Sequence, residues 1–139
     1  MKKLYLVLYL LIFCLSANAQ GDKFVDSLRN CSPYSESGVM NVNGIDTKSY
    51  KQMLGWQNNK CVYKETVLFG TNKITTKCGF TRPQIDEITS VADAYYLTLK
   101  YTNEEIDTSS PEAVKNNPLV KVLNKYLMDS NVCTMEGLE

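Results

Sequence analysis

The sequence predicts a disulfide-stapled α+β domain. We expect a short N-terminal helix, then a four-stranded antiparallel meander, then two helices that pack on one face of the sheet. Three observations predict this class: residues 49–80 alternate between apolar and polar side chains around two turn signals, residues 81–100 carry apolar side chains at helical spacing, and four cysteines follow a predicted signal peptide. These patterns specify a fold more than a chemistry.

The first 19 residues have the three parts of a secretory signal peptide. A basic start and an apolar run from Leu4 to Leu15 are followed by small residues up to Ala19, which fits cleavage before Gln20. A membrane anchor is the alternative, but the apolar run is too short to span a bilayer. We therefore expect residues 20–139 to form one domain in the periplasm or outside the cell, with no membrane insertion after cleavage.

Charge and composition exclude several functional classes. Lys and Arg number 15, as do Asp and Glu, so loss of the two signal-peptide lysines leaves a net charge of about −2. No basic field for nucleic acid is expected. Histidine is absent, which excludes Ser-His-Asp and Cys-His catalysis and histidine-ligated metals. No metal or cofactor site is predicted.

The four cysteines of the mature chain predict two disulfides. They are Cys31, Cys61, Cys78 and Cys133, with gaps of 30, 17 and 55 residues that differ from the close C-x-x-C pairs of zinc sites. Four cysteines allow three connectivities. In the strand register below, Cys61 and Cys78 are diagonal neighbours and not direct partners, which disfavours a bond between them. Two connectivities stay open, and of these we expect Cys31–Cys61 with Cys78–Cys133.

The first elements are a helix and two strands. Asp22 to Arg29 has apolar residues at helical spacing, with Asp22 as its cap. An edge strand is expected around Val39 to Val42, followed by a turn at Asn43-Gly44. Ser49 to Trp56 then returns as a strand. Its inward side chains are predicted to be Tyr50, Leu54 and Trp56.

Two tight turns set the predicted register of the meander. A turn at Asn58-Asn59 places Trp56 opposite Cys61 and Leu54 opposite Tyr63, and a turn at Gly70-Thr71 places Tyr63 opposite Cys78. The same count pairs Val67 with Ile74 and Cys61 with Phe80. The wet face is then expected to carry Lys64, Thr66, Lys73, Thr75 and Lys77.

The second half of the chain reads as helical. Thr81 and Gln84 stand at capping-box spacing before an apolar stripe that continues to Leu99. A further helix begins with a turn at 109–112 and restarts at Asn117-Pro118, because proline suits a first turn and disfavours helix in the residue before it. Val132 to Met135 is a candidate short edge strand, in addition to the four-stranded meander.

Several short segments resemble a group of small exported proteins of Gram-negative bacteria that have no known activity. They are Cys31-Ser32-Pro33-Tyr34, Leu54-Gly55-Trp56, residues 60–65 (KCVYKE), residues 77–81 (KCGFT) and Asn117-Pro118-Leu119 with Cys133. The resemblance implies export and no activity. The helix followed by a meander is also similar to the cystatin-like arrangement, but the inhibitory Q-x-V-x-G turn of that family is missing, since Gln52-Met53-Leu54-Gly55 has the wrong spacing.

Two functional hypotheses follow. The first is a non-catalytic binding or interaction module of the cell envelope, whose partner is an envelope protein and whose candidate contact residues are Tyr34 and Tyr101. The alternative is an envelope enzyme or a cystatin-like inhibitor. Glu65 falls on the apolar face between Tyr63 and Val67, where a buried carboxylate could act as a general acid or base, unless the twist of the sheet lets it reach water or a lysine.

Overall fold

The computed structural model describes residues 18–42, 44–107 and 109–137, and it has an α+β fold. In chain order the elements are α1 (Asn18–Asn30), β1 (Tyr34–Val42), β2 (Ile45–Gln57), β3 (Lys60–Phe69), β4 (Asn72–Phe80), α2 (Arg82–Thr102), α3 (Pro111–Asn116), α4 (Pro118–Leu127) and β5 (Cys133–Glu136). The predicted signal peptide lies outside the described residues except for its last two positions, which belong to α1. Helix α1 begins earlier than expected, so Asp22 lies within it rather than capping it.

The sheet has five antiparallel strands in the order β1-β2-β3-β4-β5, not four as predicted. The candidate edge strand near the C-terminus is the fifth, and it pairs with β4 through Cys133 opposite Cys78. Four residues are too few to establish a period of two, so sequence alone could not count this strand with the meander. Strand β1 is also longer than predicted, since it begins at Tyr34.

The predicted turns and the register of β3 with β4 are confirmed. Asn58 and Asn59 both have positive φ, at 52° and 64°, as a two-residue hairpin turn of the primed type requires. Across the next hairpin, Tyr63 is opposite Cys78. The remaining predicted pairs, Val67 with Ile74 and Cys61 with Phe80, are also found.

A β-bulge in β2 overturns the predicted inward face of that strand. Met53 rather than Leu54 is opposite Tyr63, and the register shifts between Met53 and Gly55, where Gly55 has a φ of +93°. Trp56 is opposite Cys61 as predicted and lies on the same side of the sheet, because the extra residue of the bulge shifts the alternation, but at the end of the strand its side chain is half-exposed. The side chains predicted to be inward, Tyr50, Leu54 and Trp56, are all exposed.

Both predicted disulfides are present, joining Cys31 to Cys61 and Cys78 to Cys133. Cys31 has a φ of 49° directly after α1, and the backbone N–H of Ser32 donates to the carbonyl of Ser27 at 2.9 Å. This is the Schellman arrangement, in which glycine is the usual residue at the left-handed position. The end of α1 is thereby fixed covalently to β3.

The helices pack against the inner face of the sheet. Phe24 of α1 meets Tyr63 edge to face at 5.3 Å between ring centroids. Helix α2 begins after Thr81, whose backbone N–H donates to Oε1 of Gln84 at 2.9 Å, as the capping box predicted. The shared core includes Leu28, Met53, Cys61, Tyr63, Cys78, Phe80, Ile85, Ile88, Ala92, Leu119, Val120, Leu123 and Tyr126.

The last predicted helix is divided in two by Asn117. Its side-chain oxygen accepts from the backbone N–H of Leu119 at 2.9 Å, and so caps α4 directly after α3 ends. Three helical segments rather than two therefore follow the meander. None of the helices in the described part of the chain has the length and apolarity needed to cross a membrane.

Candidate functional site

The side of the sheet that faces away from the helices concentrates exposed apolar side chains. We call it the outer face and define it by the outward residues of β1 to β4, among them Val39, Lys48, Tyr50, Gln52, Leu54, Lys64, Thr66, Leu68, Lys73, Thr75 and Lys77. Three of the eight large hydrophobic residues that are exposed in the described chain lie on it: Val39, Tyr50 and Leu54. Such clustering marks a surface that can exclude water with a partner, whereas scattered apolar residues need no explanation.

The bulge in β2 determines on which side of the sheet each side chain lies. Tyr50 and Leu54 lie on the outer face, roughly 13 Å apart along the strand. Trp56 follows the bulge and lies on the side of its partner Cys61, at the end of the sheet that adjoins Leu54. Gly55 supplies the positive φ at the bulge, a conformation that a side chain would disfavour. The local backbone thus presents Trp56, the only tryptophan, to solvent at 45 % exposure.

Trp56 is held in place by a short chain of polar contacts. The guanidinium of Arg82 lies over the indole, with its central carbon 4.9 Å from the ring centroid. The same Arg82 donates from Nη1 to the carbonyl of Arg29 at 2.8 Å, and Arg29 pairs with Asp93 at 2.6 Å. The hydrogen-bonded guanidinium covers one side of the indole, so the ring is positioned before any partner binds.

The inner face carries a buried row of charged and polar side chains. Lys51 lies opposite Glu36 on one side and opposite Glu65 on the other, and Glu65 lies opposite Thr76. Lys51 and Glu65 are only 3 % and 5 % exposed. Tyr63 donates to Oε2 of Glu65 at 2.9 Å, while Oε1 of Glu65 has no hydrogen-bond partner among the described residues.

Burial dominates the electrostatics of Glu65. It raises the pKa of this carboxyl to about 7, against the opposing effects of the Lys51 charge and of the Tyr63 hydrogen bond. The predicted position of Glu65, opposite Thr76 on the buried face, is confirmed. The sequence left two alternatives for Glu65, a buried carboxylate or a side chain that reaches water or a lysine. The structure combines parts of both, because the side chain is buried and lies opposite Lys51.

The two predicted contact residues lie in different environments. Tyr101 is near the end of α2 and is 89 % exposed. Tyr34 is half-buried at the start of β1, packs against the core and donates from its hydroxyl to Glu36. The structure therefore places Tyr34 beside the buried row and Tyr101 on a helix, and neither belongs to the outer face.

Within the described ranges, no cluster of acidic and cysteine side chains could hold a metal ion. The four cysteines are all consumed by the disulfides. No family model, curated protein or solved structure matches this chain. Functional reasoning therefore depends on the geometry of the outer face and of the buried row.

Sequence reasoning predicted the lysines and threonines of the outer face but assigned Tyr50, Leu54 and Trp56 to the core, and so missed the exposed apolar residues. The available signal was Gly55, because an isolated glycine inside a strand pattern often marks a bulge. A second signal was the alternation of Thr47, Ser49, Lys51 and Met53, which is the inward set of β2. Three of these four residues are polar, and polar residues are ordinarily assigned to the solvent side.

Proposed function

We propose that this chain is an exported, non-catalytic interaction module that binds a partner protein of the cell envelope through its outer face and the adjoining Trp56 at the end of β2. The observation that carries the proposal is the exposed Trp56, fixed by Arg82. Tryptophan and arginine are the residues most enriched among those that dominate binding energy, and a pre-positioned aromatic loses little entropy on binding.

Export is part of the proposal and has separate support. Two disulfides in a small domain are typical of oxidising compartments. The N-terminal segment has the features of a signal peptide, and the resemblance to small exported proteins of Gram-negative bacteria agrees with it. We place the mature protein in the periplasm or outside the cell on this basis.

Capture from envelope extract tests the interaction. Immobilised mature protein should retain a partner that Trp56→Ala loses and that Leu97→Ala, a change at an exposed helical position, retains. Tyr101→Ala is the third variant, because Tyr101 is the more exposed of the two contact residues, Tyr34 and Tyr101, that the sequence predicted. A partner lost only from Tyr101→Ala would move the site to α2 and refute a site on the outer face.

An envelope enzyme is the second candidate function, and Glu65 is the observation that favours it. A buried carboxyl with a pKa of about 7, beside Lys51 and Tyr63, has the perturbation often found in catalytic acids and bases. The test is a turnover screen of envelope substrates with the parent protein and Glu65→Gln. A reproducible turnover that Glu65→Gln abolishes would replace the interaction proposal.

A further inference from the structure

The charges of this chain are segregated between its sheet and its helices. Residues 34–80 carry six lysines against three acids, whereas residues 83–131 carry eight acids against four lysines. Two of the three acids in the meander, Glu36 and Glu65, lie on the inner face opposite Lys51. The net charge of the whole chain is therefore near zero although its outer face is basic.

Lys48, Lys64, Lys73 and Lys77 of the outer face have no acid among their cross-strand partners. Lys64 and Lys77 are direct cross-strand partners. Further along the same face, Leu68 of β3 has Lys48 of β2 opposite it on one side and Lys73 of β4 on the other. Like charges in directly opposite positions destabilise a sheet. In the part of the chain that the structure describes, the ion pairs are Arg29–Asp93 and Lys125–Glu87, so none includes a lysine of this face.

The acids nearest to this face do not neutralise it. Asp46 lies at the β1–β2 end and accepts a hydrogen bond from Asn41 at 3.0 Å. Glu136 lies at the opposite margin on β5, across from Thr75. The centre of the face therefore combines four ammonium groups with the apolar side chains of Val39, Tyr50 and Leu54.

We propose that the outer face docks an extended acidic segment of a partner protein, with apolar side chains of that segment placed among its acids. This inference rests on the proposed function and adds the chemistry of the partner. Charge complementarity accounts for the carboxylates, which would lie against the lysine rows. The strip from Tyr50 to Leu54, roughly 13 Å long, accounts for the extended shape and for the apolar side chains.

The apolar strip also distinguishes a protein partner from an anionic polysaccharide. A sulfated or carboxylated glycan would satisfy the lysines, but it offers no aliphatic surface to Leu54 or Val39, both of which are exposed. Burying these side chains contributes to binding only if the partner supplies apolar groups. A polypeptide supplies both the carboxylates for the lysines and the apolar groups for Leu54 and Val39.

A labelled ten-residue peptide of alternating Glu and Leu or Phe is the probe, titrated by fluorescence anisotropy against the mature protein. Lys64→Gln/Lys77→Gln should weaken its binding about tenfold, and raising the salt from about 50 to 300 mM should weaken it severalfold. The matched control is Lys115→Gln/Lys121→Gln, which removes two exposed helical lysines and should leave the affinity unchanged. Thermal melts of all variants verify folding.

Four outcomes would overturn the inference: no binding of the acidic peptide, equal binding of a peptide with Lys in place of Glu, equal losses in the two lysine variants, or binding of a heparin fragment in preference to the peptide. None of these four outcomes decides the proposed function, which the capture experiment tests separately. If envelope capture still depends on Trp56 while the peptide results fail, the outer face binds a partner of different chemistry. If Trp56→Ala does not reduce capture, the proposed function itself fails.

Discussion

Lys51 and Glu65 lie directly opposite each other on neighbouring strands, and both side chains are almost completely buried. The two form the centre of a row that continues to Glu36 on β1 and to Thr76 on β4. An opposite charge offsets only part of the cost of removing a carboxylate from water, which is why the pKa of Glu65 is raised and not lowered. This relationship has a measurable consequence for stability.

The free energy of unfolding should depend on pH through Glu65. Its folded pKa of about 7 lies above the ordinary value of 4.5, so the native state holds the proton more tightly than the unfolded chain does. Stability from this group is complete below pH 4.5 and is lost as the pH rises to about 7. Urea denaturation between pH 4.5 and 8 should show the decline, and Glu65→Gln should flatten it. An equally steep decline in Glu65→Gln would assign the dependence to other groups.

Trp56→Ala should destabilise the domain only slightly. The indole is half-exposed and its main described contact is with Arg82, so we expect a loss of about 1 kcal/mol. Met53→Ala, which truncates the inward neighbour across the bulge, should cost roughly 2–5 kcal/mol. Denaturant melts of the two variants measure both values. A loss in Trp56→Ala as large as that in Met53→Ala would mean that the indole belongs to the core.

The emission of the single tryptophan gives an independent measure of the same feature. Because Trp56 is 45 % exposed, the folded protein should emit at a longer wavelength than a buried indole does, and acrylamide should quench it readily. Arg82→Ala uncovers one side of the ring and should increase the quenching constant. Blue-shifted emission that resists quenching would contradict the half-exposed position of the indole.

Each disulfide should contribute roughly 3–4 kcal/mol by restricting the unfolded chain. The sequence separations are 30 for Cys31–Cys61 and 55 for Cys78–Cys133, so paired alanine substitution at the second site should cost about 0.5 kcal/mol more. Chemical denaturation of the two double variants measures the difference. Thiol titration of the denatured, unreduced mature protein should find no reactive thiol, and four reactive thiols would refute both bridges.

Asn117→Ala should remove the cap of α4 and one tertiary contact together. Asn117 is buried, accepts from the backbone N–H of Leu119, and donates from Nδ2 to the Tyr95 hydroxyl at 3.1 Å. We expect a loss of about 2 kcal/mol. Ser110→Ala, which removes the cap of the short helix α3, is the comparison and should cost about 1 kcal/mol. Equal losses in thermal melts would show that the Tyr95 contact contributes nothing.

The sequence was informative where a local rule determines geometry. The Asn58-Asn59 turn requires positive φ at both positions and thereby fixes the pairing of Trp56 with Cys61, and the next hairpin fixes that of Tyr63 with Cys78. Those pairings in turn disfavoured a bond between Cys61 and Cys78, and these cysteines have other partners. Thr81 and Gln84 similarly determined where α2 begins.

The sequence was misleading where the surroundings override the local rule. A bulge adds one residue to one strand without any required composition, so Gly55 alone could not place it. The inward side of β2 is polar at Thr47, Ser49 and Lys51, because the buried row on the neighbouring strands supplies partners that no single strand reveals. The candidate interaction surface was missed for the same reason, since its aromatic residues resembled core residues.

The two disulfides close separate loops, one from Cys31 to Cys61 and the next from Cys78 to Cys133, and the loops do not overlap. A single break of the backbone inside either loop leaves the polypeptide in one covalent piece. A break at Gly70, in the β3–β4 turn between the loops, instead yields two halves that each keep their own cross-link. Those halves would adhere through the β3–β4 ladder, the shared core and the contacts of Arg29 with Asp93 and Arg82, which makes this turn the natural position for fragment complementation and for reversible reassembly of the domain.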